Sequence, residues 1–152
     1  MSKLRTIGYW LYRSYARIRR PVTLGSRALV IRNGEVLLVR LTYIKGWFLP
    51  GGGVDKNESF REGVIRELRE ECAIEAHEPE LFGLYFTTKQ GRPDHVAIFK
   101  VENFSPIPNA KPDAEIAEMK FFPLTALPDG ITPATRRRIE EFQAGRSTTH
   151  LW

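Results

Sequence analysis

Residues 51–74 read GGGVDKNESFREGVIRELREECAI, and no other stretch restricts the fold as much. Three successive glycines open backbone paths that are closed to residues carrying a Cβ. Helical signals follow them. Ser59 can cap a helix start, Glu62 three positions on completes a capping box, and Phe60, Val64, Leu68 and Cys72 recur every four residues as one apolar stripe for the core. Five acidic side chains fall between Glu58 and Glu71, in a chain whose net charge is +5. Glu67, Glu70 and Glu71 stand at i, i+3 and i+4, so they project from one face, away from the stripe. Carboxylates that close repel one another unless a cation neutralises them, and oxygen-only clusters bind hard divalent ions such as Mg²⁺ or Mn²⁺. An ordinary solvated helix face, with Glu67 paired to Arg66 or Arg69, is the competing reading of the same residues.

The rest of the chain gives a mixed α/β pattern. SRALVIRNGEVLLVRL is two β-rich runs around Asn33-Gly34, a pair that tolerates positive φ and is the strongest short-range signal for a hairpin. LFGLYFTTK and DHVAIFKV read as two further strands, and EMKFFPL as a short last one. NFSPIPNAKPDAE, with three prolines, reads as a long loop that a compact domain keeps only for a reason. TPATRRRIEEFQAG predicts a C-terminal helix, with Thr132 as its cap, Pro133 at the first helical position and Gly145 as its stop. At the other end, Leu4, Ile7, Leu11, Tyr15 and Ile18 are spaced for a helix closed by Pro21.

At 152 residues, 42% apolar and 27% charged, the chain fits one globular domain with a real core. The division expected is a basic amphipathic helix over residues 1–20 and a domain over 21–152. The longest apolar runs, ALVI and VLLV, fall far short of a membrane span, and no signal-peptide h-region is visible, so a cytoplasmic location is expected. The single cysteine, Cys72, excludes an internal disulfide and reads as a buried, inert thiol. From Met1 to Gly34 there is no acidic residue, while Lys3, Arg5, Arg13, Arg17, Arg19, Arg20, Arg27 and Arg32 are basic. Such a front attracts anions: a phosphate-rich small molecule, a nucleic acid or an acidic membrane surface.

Spacing separates these classes. Gly52, five residues, Glu58, seven residues, then Arg66-Glu67-Leu68-Arg69-Glu70-Glu71-Cys72-Ala73-Ile74 resembles the signature of the Nudix hydrolases, G-x5-E-x7-R-E-U-x-E-E-x-G-U with U aliphatic. Ala73 is the one departure, standing where the family has glycine. The flank WFLPGGGV and the order of strands are also similar, so the resemblance spans about residues 22 to 145. It implies an α/β/α sandwich around a mixed sheet, here with the extra N-terminal helix, and an enzyme that uses Mg²⁺ or Mn²⁺ to cleave a pyrophosphate bond. By position, Glu67, Glu70, Glu71 and the Gly52 carbonyl would hold metal, while Glu58 and Arg66 would pair and brace the loop against the helix. The general base would be a box glutamate or one of Glu115 and Glu118, which flank the end of the Pro-rich loop. Trp47, as a pocket wall, with Lys45 and Arg27 are the substrate-side candidates.

The substrate class implied is a nucleoside diphosphate linked to another moiety, foremost a sugar, as in ADP-ribose or a GDP- or UDP-hexose. The alternatives are pyrophosphohydrolysis of a modified nucleoside triphosphate and, in a different class, a module that binds nucleotide without hydrolysing it. Such binders commonly lose box carboxylates, and here all are present. A nucleic-acid partner is disfavoured because no RNA-binding module is visible. The family's habit of pairing suggests a homodimer. Contact of residues 1–20 with a membrane is a lesser alternative to packing on the domain.

Overall fold

The computed structural model of the chain describes residues 22–88, 93–145 and 150–152. The helix expected over residues 1–20 lies outside the described residues. Seven strands and two helices follow in the order β1 (Thr23–Arg32), β2 (Glu35–Leu41), α1 (Phe60–Cys72), β3 (Ile74–Ala76), β4 (Glu80–Thr87), β5 (Asp94–Val101), β6 (Phe104–Pro106), β7 (Ile116–Pro123) and α2 (Pro133–Gln143).

Five strands form one sheet in the order β4-β5-β1-β2-β7. It is mixed: β1 and β5 run parallel from Thr23↔Asp94 to Val30↔Val101, and the other neighbours are antiparallel. Side chains alternate across a strand, so each central strand feeds two cores. Ala28, Val30, Leu37, Val39, Ala97 and Phe99 pack with Val64, Leu68 and Cys72 of α1. Their neighbours Leu29, Ile31, Val36, Leu38, Val96 and Ile98 pack with Ile139 of α2 on the other face. The result is the α/β/α sandwich. On the α2 side the Arg138 guanidinium is fully buried, 4.0 Å over the Tyr85 ring, and donates to the Leu151 carbonyl at 2.9 Å.

The Asn33-Gly34 turn forms, with φ of 49° and 76° at its two residues. Its strands stay paired only at Ile31↔Val36 and Arg32↔Glu35. Beyond that they part, and the segment before and through the glycines fills the opening. Phe48 exchanges backbone bonds with Val39 at 2.9 and 3.0 Å, Ala28 N–H donates to the Pro50 carbonyl, and Ser26 N–H donates to the Gly52 carbonyl, both at 2.9 Å. An exposed strand edge needs partners for its N–H and C=O groups, and here the glycine loop supplies them.

Two expectations are corrected. The last strand begins earlier than EMKFFPL, because β7 pairs along β2 as far as Leu41↔Ile116. The Pro-rich stretch is not all loop: Phe104–Pro106 pairs with β3 in a small second sheet. Its remainder is tied to the end of α1, where Asp113 N–H donates to the Glu70 carbonyl and Ile107 N–H to that of Ala73, both at 2.9 Å. That satisfies carbonyls a helix end leaves open.

Candidate active site

The first turn of α1 is held by its capping box. Glu62 N–H donates to Ser59 Oγ at 3.2 Å, and Ser59 N–H donates to the Glu62 carboxylate at 2.8 Å. At the other end, Ala73, at the position where the signature it resembles has glycine, adopts the left-handed conformation, φ 53° and ψ 40°. The helix exit is therefore kept at a steric cost.

Arg66 binds loop and helix together. Its guanidinium grips both oxygens of Glu58 at 2.9 and 3.0 Å and donates to the Gly53 carbonyl at 2.8 Å. It also donates to Glu67 at 2.9 Å and to Glu70 at 3.2 Å. The Glu58 contact is the main reason its pKa is held above the ordinary arginine range.

Glu71 stands apart from this network and accepts the Gly51 N–H at 2.7 Å. Burial pushes its carboxyl up to about 7; the Gly51 hydrogen bond and Arg27 oppose that rise, while Glu67 and Glu115 add to it. Gly51, φ 128°, can be nothing but glycine here, because a Cβ would overlap the Ser26 carbonyl oxygen. At Gly52 a Cβ would overlap the Glu67 carboxylate. The bare backbone thus leaves room in front of Glu67, while the Gly52 carbonyl points to β1 and accepts from Ser26.

The remaining candidates separate clearly. Tyr43 donates its hydroxyl to Glu115 at 3.3 Å, and Thr42 N–H donates to the Glu115 carbonyl at 2.9 Å. Glu118 is paired with Arg40 at 2.9 Å. Arg27 and Glu71 line a cavity of about 820 Å³, together with Tyr43, Phe48, Asp94 and Trp152. Lys45 is exposed and is not among the lining residues. Trp47 is corrected from pocket wall to core: it is 8% exposed, edge-on to Phe122 at 4.7 Å in the α2-side cluster. The segment is extended there, so alternation sends Trp47 into the core and leaves Phe48 to the cavity. Sequence reasoning missed Gly51 and Asp94, and it weighed Tyr43 only as an aromatic residue for stacking a base, not as a partner of Glu115. The signal for Gly51 was the glycine run itself; nothing local marks Asp94.

Among the described residues no three acidic or histidine side chains converge on one point, since Arg66 draws Glu67 and Glu70 while Gly51 holds Glu71. The donor set nevertheless fits a hard divalent cation. Glu67, Glu70 and Glu71 offer only oxygen, the space at Gly52 lies against Glu67, and Glu71 is a carboxyl that a nearby cation would hold ionised.

Comparison with known proteins places this geometry. A family model described as the NUDIX domain matches residues 23–142. A protein of Bacillus subtilis (strain 168), provisionally named 8-oxo-dGTP diphosphatase, is 28% identical over 130 residues, 85% of each chain. An ADP-ribose pyrophosphatase of Methanocaldococcus jannaschii is 31% identical over 105 residues, 66% of this chain and 61% of that one. The crystal structure of a MutT NUDIX hydrolase from Burkholderia pseudomallei superposes with a TM-score of 0.69 at 28% identity, over 79% of this chain and 97% of that chain. The family match runs through both the glycine loop and α1, and on it the chain belongs to the NUDIX family of pyrophosphohydrolases.

Proposed function

We propose that this chain cleaves the pyrophosphate bond of a nucleoside diphosphate linked to a second moiety, foremost a sugar, as in ADP-ribose or a GDP- or UDP-hexose. The observation that carries this reading is the cavity of about 820 Å³ running from Glu71 and Arg27 to Asp94 and Trp152. That volume lies toward the upper end of small-molecule sites, which suits a two-ended ligand with a diphosphate in its middle.

In this reading Glu67, Glu70 and Glu71 hold Mg²⁺ or Mn²⁺. The Gly52 carbonyl, which already accepts from Ser26, keeps a second lone pair for the same ion. A divalent ion there supplies charge neutralisation for the diphosphate and acidifies a water. Arg27 lies beside Glu71 and offsets phosphate charge. Arg66 and Glu58 keep the loop against α1. Glu115, exposed and touched by the Tyr43 hydroxyl, is the loop carboxylate best placed to take the proton, because Glu118 is committed to Arg40.

A second reading, pyrophosphohydrolysis of a modified nucleoside triphosphate, draws on the Bacillus subtilis relative that covers 85% of both chains. Turnover with Mg²⁺ and Mn²⁺, products resolved by chromatography, separates the two. A nucleoside monophosphate with a sugar phosphate supports the first, and pyrophosphate from a triphosphate supports the second. Residues 1–20 as a separate basic helix, a homodimer and a cytoplasmic location belong to the same proposal. Solution mass and vesicle binding of the full chain and of residues 21–152 test the first two. No helix among the described residues is long and apolar enough to cross a membrane.

A further inference from the structure

The cavity floor carries a polar row that the pyrophosphate chemistry does not use. Thr23 of β1, Asp94 of β5 and Thr87 of β4 stand side by side across three neighbouring strands, through the pairs Thr23↔Asp94 and Thr87↔Asp94. All three line the cavity. By alternation they share the sheet face of Val96 and Tyr85, which pack in the α2-side core. The next row holds Gly25 and Val96, so the floor there has almost no relief, and the row after it holds Arg27 opposite Ile98. Arg27 stands four positions along the strand from Thr23, about 13 Å. That is the scale of a nucleotide stretched between its base and its terminal phosphate.

Asp94 is fixed in this row. Thr23 Oγ1 donates to its Oδ1 at 2.9 Å, and among the described residues no hydrogen bond reaches its Oδ2. Trp152 adds an aromatic ring to the same cavity; the ring stands edge-on to Tyr85 at 6.1 Å, and the Trp152 backbone N–H donates to the Phe86 carbonyl at 2.9 Å. An ionised carboxylate only accepts hydrogen bonds. Guanine is the base whose edge presents two adjacent donors, the ring N1–H and the exocyclic amine. Adenine and cytosine set an acceptor beside their amine, and hypoxanthine keeps N1–H but lacks the amine.

We infer that Asp94, seated by Thr23 at the end of the cavity away from Arg27, is the residue that selects a guanine base. This deepens the nucleotide-hydrolase reading and rests on it for the identity of the ligand.

The test is binding of GMP, IMP and AMP to the full chain by calorimetry, for the parent protein and for Asp94→Asn and Asp94→Ala, with melting curves to show that both variants fold. GMP is expected to bind about tenfold or more tightly than IMP or AMP, as a charged hydrogen bond requires. Both variants should reduce that preference to about twofold by weakening GMP most and IMP less, while leaving AMP affinity, which uses neither donor, within about twofold of the parent. Equal binding of GMP and IMP to the parent, no binding of GMP, or an unchanged preference in both variants would overturn the inference. Turnover is read separately with Mg²⁺ on GDP-hexose and ADP-ribose. If neither is cleaved while the GMP preference holds, the substrate reading fails and the base site stands.

Discussion

Gly51 donates its backbone N–H to the Glu71 carboxylate at 2.7 Å, joining the glycine loop to the last turn of α1. The contact requires Gly51 at φ 128°, where a Cβ would overlap the Ser26 carbonyl oxygen, a position that admits no side chain. Gly51→Ala should therefore displace the loop from β1, cost roughly 2 kcal/mol or more and abolish turnover. Chemical denaturation together with a turnover assay checks this, and parental stability in the variant would refute the close approach.

Ala73 pays a steric cost at the exit of α1 that glycine would not. With φ 53° and ψ 40°, Ala73→Gly should raise stability by about 0.5–1 kcal/mol, the relief of a left-handed Cβ less the extra freedom of glycine in the unfolded chain. A rise in the denaturation midpoint without loss of turnover is the expected result. A fall would mean that the strain is already relieved elsewhere.

Glu70 is the most exposed of the three carboxylates assigned to metal, at 54%, and its one ion pair among the described residues is with Arg66 at 3.2 Å. Glu70→Gln should change stability by no more than about 0.5 kcal/mol. It should lower turnover by about 100-fold or more, the scale seen when one preorganised electrostatic group is removed from an active site. Metal titration followed by tryptophan fluorescence should show weaker binding in the variant. Full activity would exclude Glu70 from the site.

Acid should weaken the junction of α1 and β3. Arg69 donates to both oxygens of Glu75 at 2.7 and 2.6 Å, and that hydrogen bonding, followed by the attraction between their charges, holds Glu75 below its ordinary 4.5. A depressed carboxyl contributes stability that is present above the unfolded value and is lost as pH falls through the folded one. Glu75→Gln should melt below the parent at pH 7, and the gap should close as pH drops below about 4. A Tm difference constant from pH 7 to pH 3 would show that the pair contributes through something other than charge.

Cys72 should be silent until the protein opens. Its thiol is 2% exposed, and burial, reinforced by Glu71, pushes its pKa above the ordinary value. Modification by a thiol reagent should run on the order of 1,000-fold slower in native buffer than in denaturant. Rapid labelling of the native protein would contradict the packing of the α1 stripe.

Short-range chemistry is what the residues alone disclose. The Asn33-Gly34 turn, the Ser59-Glu62 capping box, the four-residue stripe through Val64, Leu68 and Cys72, and the Thr132-Pro133 helix start each depend on neighbours a few positions away. The alternating strands and the spacing from Gly52 to Ile74 were legible for the same reason. Contacts across the sheet decided the rest. That β1 and β2 part to admit the glycine loop depends on edge hydrogen bonds between segments far apart in the chain. The burial of Trp47 beside Phe122 and the pairing of Glu118 with Arg40 rather than with the site follow from the β2–β7 register. Asp94 gained its place beside Thr23 only through the parallel pairing of β1 with β5, whose partners lie 71 positions apart. No local pattern encodes such neighbours, because the free energy that brings them together comes from burying both faces of one sheet at once.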